Sequence, residues 1–153
     1  MDTLVGSGDV TRITGVKPKL LTNWVESGVI RPVKQGTGRG RHHAFSVFDV
    51  LKVSLAIDMR RRGLGVDQIA RVVEWLQAKS MEDLLGEFSR GRKMLMVVGS
   101  CPPWPRLWRR SDIFENDEID LQAAFDLGVP VAIIDVERAY HTVYEKLVEG
   151  LDR

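Results

Sequence analysis

Residues 15–32, GVKPKLLTNWVESGVIRP, contain a short helix whose start, end and buried face can be read from the sequence. Pro18 suits the first helical position, where its missing N–H is no loss, and Gly28 suits the residue just beyond the end. The spacing therefore predicts a helix from about Pro18 to Ser27. Four apolar residues at helical spacing are expected to face the core: Leu20, Leu21, Trp24 and Val25.

The outward face of this helix is short, polar and basic at its start. It holds Lys17, Lys19, Thr22, Asn23 and Glu26. Upstream, the segment SGDVTRITG, residues 7–15, predicts a smaller helix with Ser7 or Asp9 as its N-cap. Two short helices around a glycine turn are typical of a helix-turn-helix, whose second helix lies in the major groove of DNA. The first four residues of the outward face are therefore expected to face that groove.

Several spaced motifs follow one another along the first half of the chain. They are Gly15-Val16-x-Pro18-x-x-Leu21-x-x-Trp24-x-x-x-Gly28-Val29-Ile30-x-Pro32, a glycine and arginine loop from Gly36 to Arg41, Phe45-Ser46-x-x-Asp49-Val50, and Gly63-Leu64-Gly65-Val66-x-x-Ile69. Together they resemble the start of a MerR-like winged-helix regulator. The family usually has a capping Ser, an Arg-Tyr pair and an Arg where this chain has Lys17, Thr22-Asn23 and His43. The resemblance implies the fold, but the family's DNA contacts do not transfer.

Residues 29–45 have apolar residues at both ends and GTGRGRHH between them, which predicts a β-hairpin wing. Glycine lets the loop approach another backbone, and Arg39 and Arg41 can reach phosphates or a narrow minor groove. His42 and His43 are adjacent and would point to opposite faces of a strand, so they make a poor metal pair. One is expected to contact a phosphate and the other to pack, and His43 is included among the predicted DNA-binding residues.

A helix is expected after the wing. Ser46 and Asp49 resemble a capping box, so this helix should run from about Val47 to Gly63. The triplet Arg60-Arg61-Arg62 closes it and complements the helix dipole, which is sufficient to explain most of its presence. A supplementary phosphate contact from the triplet is the alternative.

Two more helices are expected, with a break between them. Residues 66–78 carry Val66, Ile69, Val72, Val73 and Leu76 at helical spacing, and Ser80 with Asp83 predicts the start of the next helix. This break is a difference from those MerR-like regulators that dimerise through a single extended helix. The dimer contact is therefore expected further downstream.

Beyond Lys93 the hydrophobic period changes. Residues 94–98 and 131–134 have the length of buried strands, and residues 106–109 predict a third, alternating strand. A short helix is expected over residues 120–127. Asp135 should cap a final helix, with Gly150 beyond its end.

The predicted fold class is mainly α with small β (α+β). A winged helix-turn-helix DNA-binding domain is expected over residues 1–78. A small C-terminal α/β domain, with a role in dimerisation or effector sensing, is expected over residues 79–153.

Composition and charge bound the function. The chain has 153 residues, 44% of them apolar, one cysteine, and no apolar run of the roughly 20 residues that span a bilayer. A cytoplasmic protein without disulfides is therefore expected. Residues 1–65 carry 11 Lys or Arg against 5 Asp or Glu, whereas residues 66–153 carry 11 against 16. This asymmetry is typical of a nucleic-acid-binding half joined to an acidic half.

The C-terminal half offers no convincing chemical centre. Cys101 stands alone, whereas soft-metal sites need several thiolates or imidazoles. If Cys101 were a nucleophile, His141 would be the only candidate for its general base in this half, and His141 is better explained as a residue on a helix surface. Trp104 and Trp108 can line a ligand pocket, but core or dimer packing explains them better. We predict no catalytic residue, no metal and no cofactor, and therefore no enzyme.

The function predicted from these patterns is sequence-specific regulation of transcription by a homodimer bound to double-stranded DNA at a pseudo-palindromic promoter site. A small-molecule effector and RNA polymerase are further candidate partners, and no membrane is expected. One alternative is an excisionase-like architectural DNA-binding factor. Another is an antitoxin-like protein whose acidic tail binds a protein partner.

Overall fold

The computed structural model describes residues 3–37, 42–89, 94–98, 106–109 and 132–151. Helices dominate these residues and the strands are few and short, which confirms the predicted fold class. Contacts divide the chain into two compact units, Met1–Val73 with Ala139–Arg153, and Glu74–Arg138. A functional division at residue 78 stays a prediction.

The first two helices are joined by a tight turn. Helix α1 (Ser7–Thr14) ends at Gly15, which has φ 73°, a conformation that glycine adopts without a steric penalty. The N-cap of α1 is Gly6, with no capping side chain, so the prediction of a Ser7 or Asp9 cap is wrong. Ser7 is already the first helical residue.

Helix α2 (Pro18–Glu26) begins at the predicted proline and ends one residue before the predicted Ser27. Gly28 follows with φ 76°. Leu21, Trp24 and Val25 are buried as predicted, whereas Leu20 is half-buried. The apolar stripe thus fixes which face of α2 remains exposed.

The wing is held at its base by backbone pairing. Lys34 and Ala44 exchange two hydrogen bonds of 3.1 and 3.0 Å, which supports the predicted hairpin. Strand β2 (Ala44–Phe45) also pairs antiparallel with β1 (Val5–Gly6). The tip of the loop, residues 38–41, lies outside the described residues.

Helix α3 (Val47–Arg61) forms the centre of the first unit. Its capping box is confirmed, because Asp49 N–H donates to Ser46 Oγ at 3.1 Å and Ser46 N–H donates to Asp49 Oδ2 at 2.9 Å. The helix ends two residues before the predicted Gly63, which takes φ 86°. Its buried apolar residues are Val50, Leu51, Val53, Leu55, Ala56, Ile57 and Met59.

The predicted break between the next two helices is confirmed. Helix α4 (Val66–Gln77) is followed by α5 (Met81–Ser89), which begins with a second reciprocal pair between Ser80 and Asp83. Val66 was expected on the buried face of α4, but its side chain is 64% exposed. It occupies the first position of the helix, before the stripe of Ile69, Val72, Val73 and Leu76 becomes buried.

The second unit contains a three-stranded antiparallel sheet. Its strands are β3 (Met94–Val98), β4 (Arg106–Arg109) and β5 (Ala132–Asp135), in the order β4-β3-β5. All three predicted strands are confirmed, with β5 shifted by one residue. The predicted helix over residues 120–127, and Cys101 and Trp104, lie outside the described residues.

The last helix, α6 (Val136–Leu151), begins directly after β5. Asp135 caps it as predicted, since Arg138 N–H donates to Asp135 Oδ1 at 2.9 Å. Gly150 was expected beyond the end of the helix but lies within it. A Cβ at that position would meet the guanidinium of Arg12, which would have to move. Gly150 therefore lies close to Arg12 and does not terminate the helix.

Candidate nucleic-acid interface

The outward face of α2 is exposed as predicted. Lys17, Lys19, Thr22 and Asn23 are all exposed, because the apolar stripe of α2 occupies the opposite side. Lys17 is the N-cap residue and makes no side-chain capping hydrogen bond.

A concave surface of about 580 Å³ lies between the start of α2 and the end of α3. We call it the basic groove. Its lining includes the apolar side chains of Leu20 and Ile57. The polar side chains that line it are Lys17, Lys19, Asn23, Arg60 and Arg61.

The basic groove concentrates positive charge. Lys19 and Asn23 are four residues apart and therefore share one side of α2. Arg60 and Arg61 are exposed in the last turn of α3. Four cations with no carboxylate among the lining residues create a local positive potential, which favours a polyanion.

The turn of the helix-turn-helix forms one edge of the groove. A Cβ on Gly15 would lie 3.6 Å from Nη2 of Arg61, so the turn approaches the guanidinium closely. The end of α3 therefore lies next to the start of α2. Both elements can therefore contact the same stretch of a bound ligand.

A smaller depression of about 140 Å³ has a different lining, in which Thr22 and His43 take part. We call it the wing depression. Thr22 Oγ1 donates to Pro18 O at 3.0 Å, so the hydroxyl proton is used within α2. The other lining residues are Ser7, Gly8, Thr11, Pro18, Leu21 and Val25.

The two wing histidines differ in environment. His43 is half-buried, packs edge-on against Phe45 with ring centroids 6.2 Å apart, and accepts a hydrogen bond from Gly36 N–H at Nδ1, 3.4 Å long. The neutral ring then carries its proton on Nε2, which is left to donate. His42 is exposed.

The predicted DNA-binding residues thus fall into three groups. Lys17, Lys19 and Asn23 share the basic groove, and Thr22 and His43 share the wing depression. Arg39 and Arg41 lie outside the described residues.

The sequence pattern did not connect Arg60 and Arg61 with α2. About forty residues separate them from Lys19, and their position in a last helical turn is already explained by the dipole. Only the packing of α3 brings them to the groove. The signal available in the sequence was the run of three consecutive arginines at the end of α3.

Over the part of the chain that the structure describes, no group of three or more His, Cys, Asp or Glu side chains is placed to hold a metal ion. No helix among the same residues combines the length and apolarity needed to cross a membrane. His141 is exposed on α6, as predicted.

Comparison with known families identifies the first part of the chain. Residues 7–75 match the model of the MerR HTH family regulatory proteins. The match begins at α1, includes α2, the wing and α3, and ends within α4. No curated protein matches the chain. Residues 7–75 therefore form a MerR-like helix-turn-helix domain, and the protein is a DNA-binding regulator of transcription.

Proposed function

We propose that the protein binds a pseudo-palindromic promoter site as a homodimer and reads it with the exposed face of α2. The observation that carries this proposal is the basic groove, in which the start of α2 and the end of α3 each contribute two cations. An amphipathic helix that only packs against the core does not require cations from a second element beside its exposed face.

The geometry of DNA supports this role for the groove. A helix in the major groove has a phosphate backbone on each side. One flank of α2 borders the basic groove, and another borders the wing depression with His43. Phosphates on the first side would meet Lys17, Arg60 and Arg61. Phosphates on the second side would meet His43, with Arg39 and Arg41 extending the contact along the backbone or into the minor groove.

Base recognition is assigned to the exposed centre of α2. Asn23 carries an amide that can donate and accept together, which is the pattern that adenine presents in the major groove. Thr22 offers its methyl group and a hydroxyl oxygen at the adjacent position. Lys19 can reach either a guanine edge or a phosphate.

Dimerisation and effector sensing are assigned to residues 79–153. The break after α4 excludes one continuous helix of coiled-coil length through residues 66–89, and β4 and β5 are the outer strands of the described sheet. A second subunit would double the DNA contacts and turn the second docking into an intramolecular event. A small-molecule effector or RNA polymerase would then act on the DNA-bound dimer.

Footprinting the purified protein on fragments of its own genome tests the function as a whole. The expected result is protection of two related half-sites near promoters, spaced by whole helical turns. Protection confined to recombination ends would favour an architectural factor. A stoichiometric protein partner in place of DNA binding would contradict the proposal.

Anisotropy titrations on the footprinted site test the basic groove. Arg60→Ala should weaken binding and lower the salt slope by about one unit, because the lost phosphate contact releases one fewer counterion. Lys19→Ala should also weaken binding, whether Lys19 contacts a phosphate or a guanine edge. Arg71→Ala is the matched control, since Arg71 is exposed on α4 and lines neither depression. Wild-type affinity and slope in both groove variants would remove the groove from the interface.

A further inference from the structure

The C-terminal helix contacts the first helix through two reciprocal hydrogen bonds. Lys146 Nζ donates to Ile13 O at 3.1 Å, and Arg12 Nη1 donates to the backbone oxygen of Lys146 at 3.3 Å. The partners are more than 130 residues apart in sequence. Helix α6 therefore contacts the first helix of the helix-turn-helix.

Lys146 satisfies a carbonyl that α1 cannot satisfy itself. The last four carbonyls of a helix have no partner within it, and Ile13 O is one of them. Gly15 N–H donates to the oxygen of Thr11, which leaves Ile13 O for another donor. An ammonium group at this end also complements the helix dipole.

The surrounding contacts hold α6 against this end of the unit. Val143 and Leu147, four residues apart, are buried. The guanidinium of Arg12 lies against Gly150 and also pairs with Asp9 at 3.3 Å. Lys146 therefore lies on a helix whose neighbouring apolar side chains are buried.

We propose that Lys146 is a positioning residue for DNA binding, which holds the end of α1 and thereby fixes the orientation of α2. Ile13 precedes the turn at Gly15 by two residues, and Lys17 begins the basic groove two residues after that turn. Ile13 and Lys17 are therefore only four residues apart, and a displacement of the Ile13 carbonyl would also displace the DNA-facing side chains. This inference rests on the proposed function of α2.

The test compares Lys146→Met, which keeps the aliphatic stem but removes the donor, with the wild type. Operator affinity is measured by anisotropy well below the unfolding midpoint, after circular dichroism has established that the variant is folded. Lys146→Met should weaken binding about tenfold, a size typical of coupling between sites. Its salt slope should equal that of the wild type, because Lys146 neutralises no phosphate.

Three further variants make the result decisive. Lys146→Arg keeps a cationic donor and should restore most of the affinity. Glu145→Gln, at an exposed neighbouring position of α6, should bind as the wild type does. If Lys146→Met fails to fold, Lys146→Gln replaces it. Its neutral donor stands on a stem one carbon shorter, so it should give a smaller loss, and wild-type affinity in this variant would overturn the positioning role.

The outcomes separate this inference from the proposed function. Wild-type affinity in folded Lys146→Met, or a salt slope lowered by one unit, would overturn the positioning role while Lys19→Ala and Arg60→Ala still lose affinity. Wild-type affinity in Lys19→Ala and Arg60→Ala would instead overturn the role of the basic groove. The two failures are distinguished by the same titration.

Discussion

Asp49 Oδ1 lies 2.7 Å from Lys52 Nζ, and the two side chains are only 4% and 2% exposed. The same carboxylate closes the capping box of α3 through Oδ2. Lys52 Nζ also lies 4.7 Å from the ring centroid of Phe48. Because both groups are buried away from water, each charged group interacts with the other in place of the water molecules that would otherwise solvate it. The start of α3, which follows the wing directly, depends on both charges.

Lys52→Met should lower the free energy of unfolding by about 3–5 kcal/mol, because it leaves the Asp49 carboxylate buried without its cation. Urea unfolding followed by circular dichroism measures the change. Arg62→Ala is the control, since the Asp58–Arg62 pair is 3.0 Å long but its side chains are 40% and 47% exposed. That variant should lose no more than about 1 kcal/mol. Equal losses in the two variants would contradict the burial of the first pair.

Gly15→Ala and Gly8→Ala should change stability in opposite directions. Gly15 has φ 73°, and an L-residue in this conformation costs about 1–2 kcal/mol, so alanine should destabilise the turn. Gly8 lies inside α1 with no atom within 4 Å of an added Cβ, and alanine there should stabilise the helix by up to about 1 kcal/mol. Thermal or urea unfolding of both variants checks the signs. A Gly15→Ala protein as stable as the wild type would exclude the left-handed turn.

Asn23→Ala should relax the preference for one base pair of the operator, at a cost of about 1–3 kcal/mol on the preferred sequence. The reason is that a side chain reading a base edge discriminates at one position, whereas a phosphate contact weakens all sequences alike. A panel of operators with single base-pair changes measures the preference. Lys17→Ala serves as the comparison, with a loss expected across the whole panel. An unchanged profile for Asn23→Ala would assign base reading to another residue.

The Ser80 hydroxyl, helped by the Ser80 backbone N–H, holds the pKa of the Asp83 carboxyl below its ordinary value of 3.8. The folded-state pKa is thus the lower one, so the unfolded chain takes up the proton first as the pH falls. The stabilising contribution of Asp83 is present above the ordinary value and is lost as the pH falls through the folded-state pKa. Ser80→Ala should raise the pKa of Asp83 in a carboxyl NMR titration. Ser89→Ala, at the other end of α5, should leave it unchanged.

Local signals account for what could be predicted of the fold. The capping boxes of α3 and α5 and the glycine ends of α1 and α2 depend on residues at most four positions apart. The cap of α1 escaped prediction because Gly6 caps without a side chain. The position of Gly150 inside α6 escaped prediction because the group it lies against, the Arg12 guanidinium, is 138 residues upstream.

The candidate site divides in the same way. The exposed face of α2 follows from its apolar stripe, so Lys19 and Asn23 could be assigned from spacing alone. Arg60 and Arg61 lie beside them only because of how α3 packs, and the spacing of apolar residues in the sequence does not predict that packing. Lys52 was hidden for a similar reason, since a lysine is expected in solvent unless a buried carboxylate such as Asp49 accompanies it.

The last prediction concerns a fragment that ends at Ser89, which lacks the sheet and α6. Loss of α6 removes the buried side chains of Val143 and Leu147 and the Lys146 donor from the first compact unit. Each buried aliphatic side chain contributes about 1.5–3 kcal/mol, so the fragment should unfold at a clearly lower urea concentration than the full chain. An unfolding midpoint equal to that of the full chain would show that α6 contributes nothing to the helix-turn-helix unit.

The same fragment tests where the dimer forms. If residues 79–153 supply the contact, the fragment should be a monomer by light scattering, whereas the full chain should be a dimer. Its operator affinity should approach the non-specific level of roughly 10⁻⁴–10⁻⁶ M at physiological salt, because one half-site contact remains. Lys146→Met in the full chain separates the two causes of weak binding, since it should disturb α1 without changing the dimer. A folded fragment that remains dimeric would place the interface on the helices before residue 90.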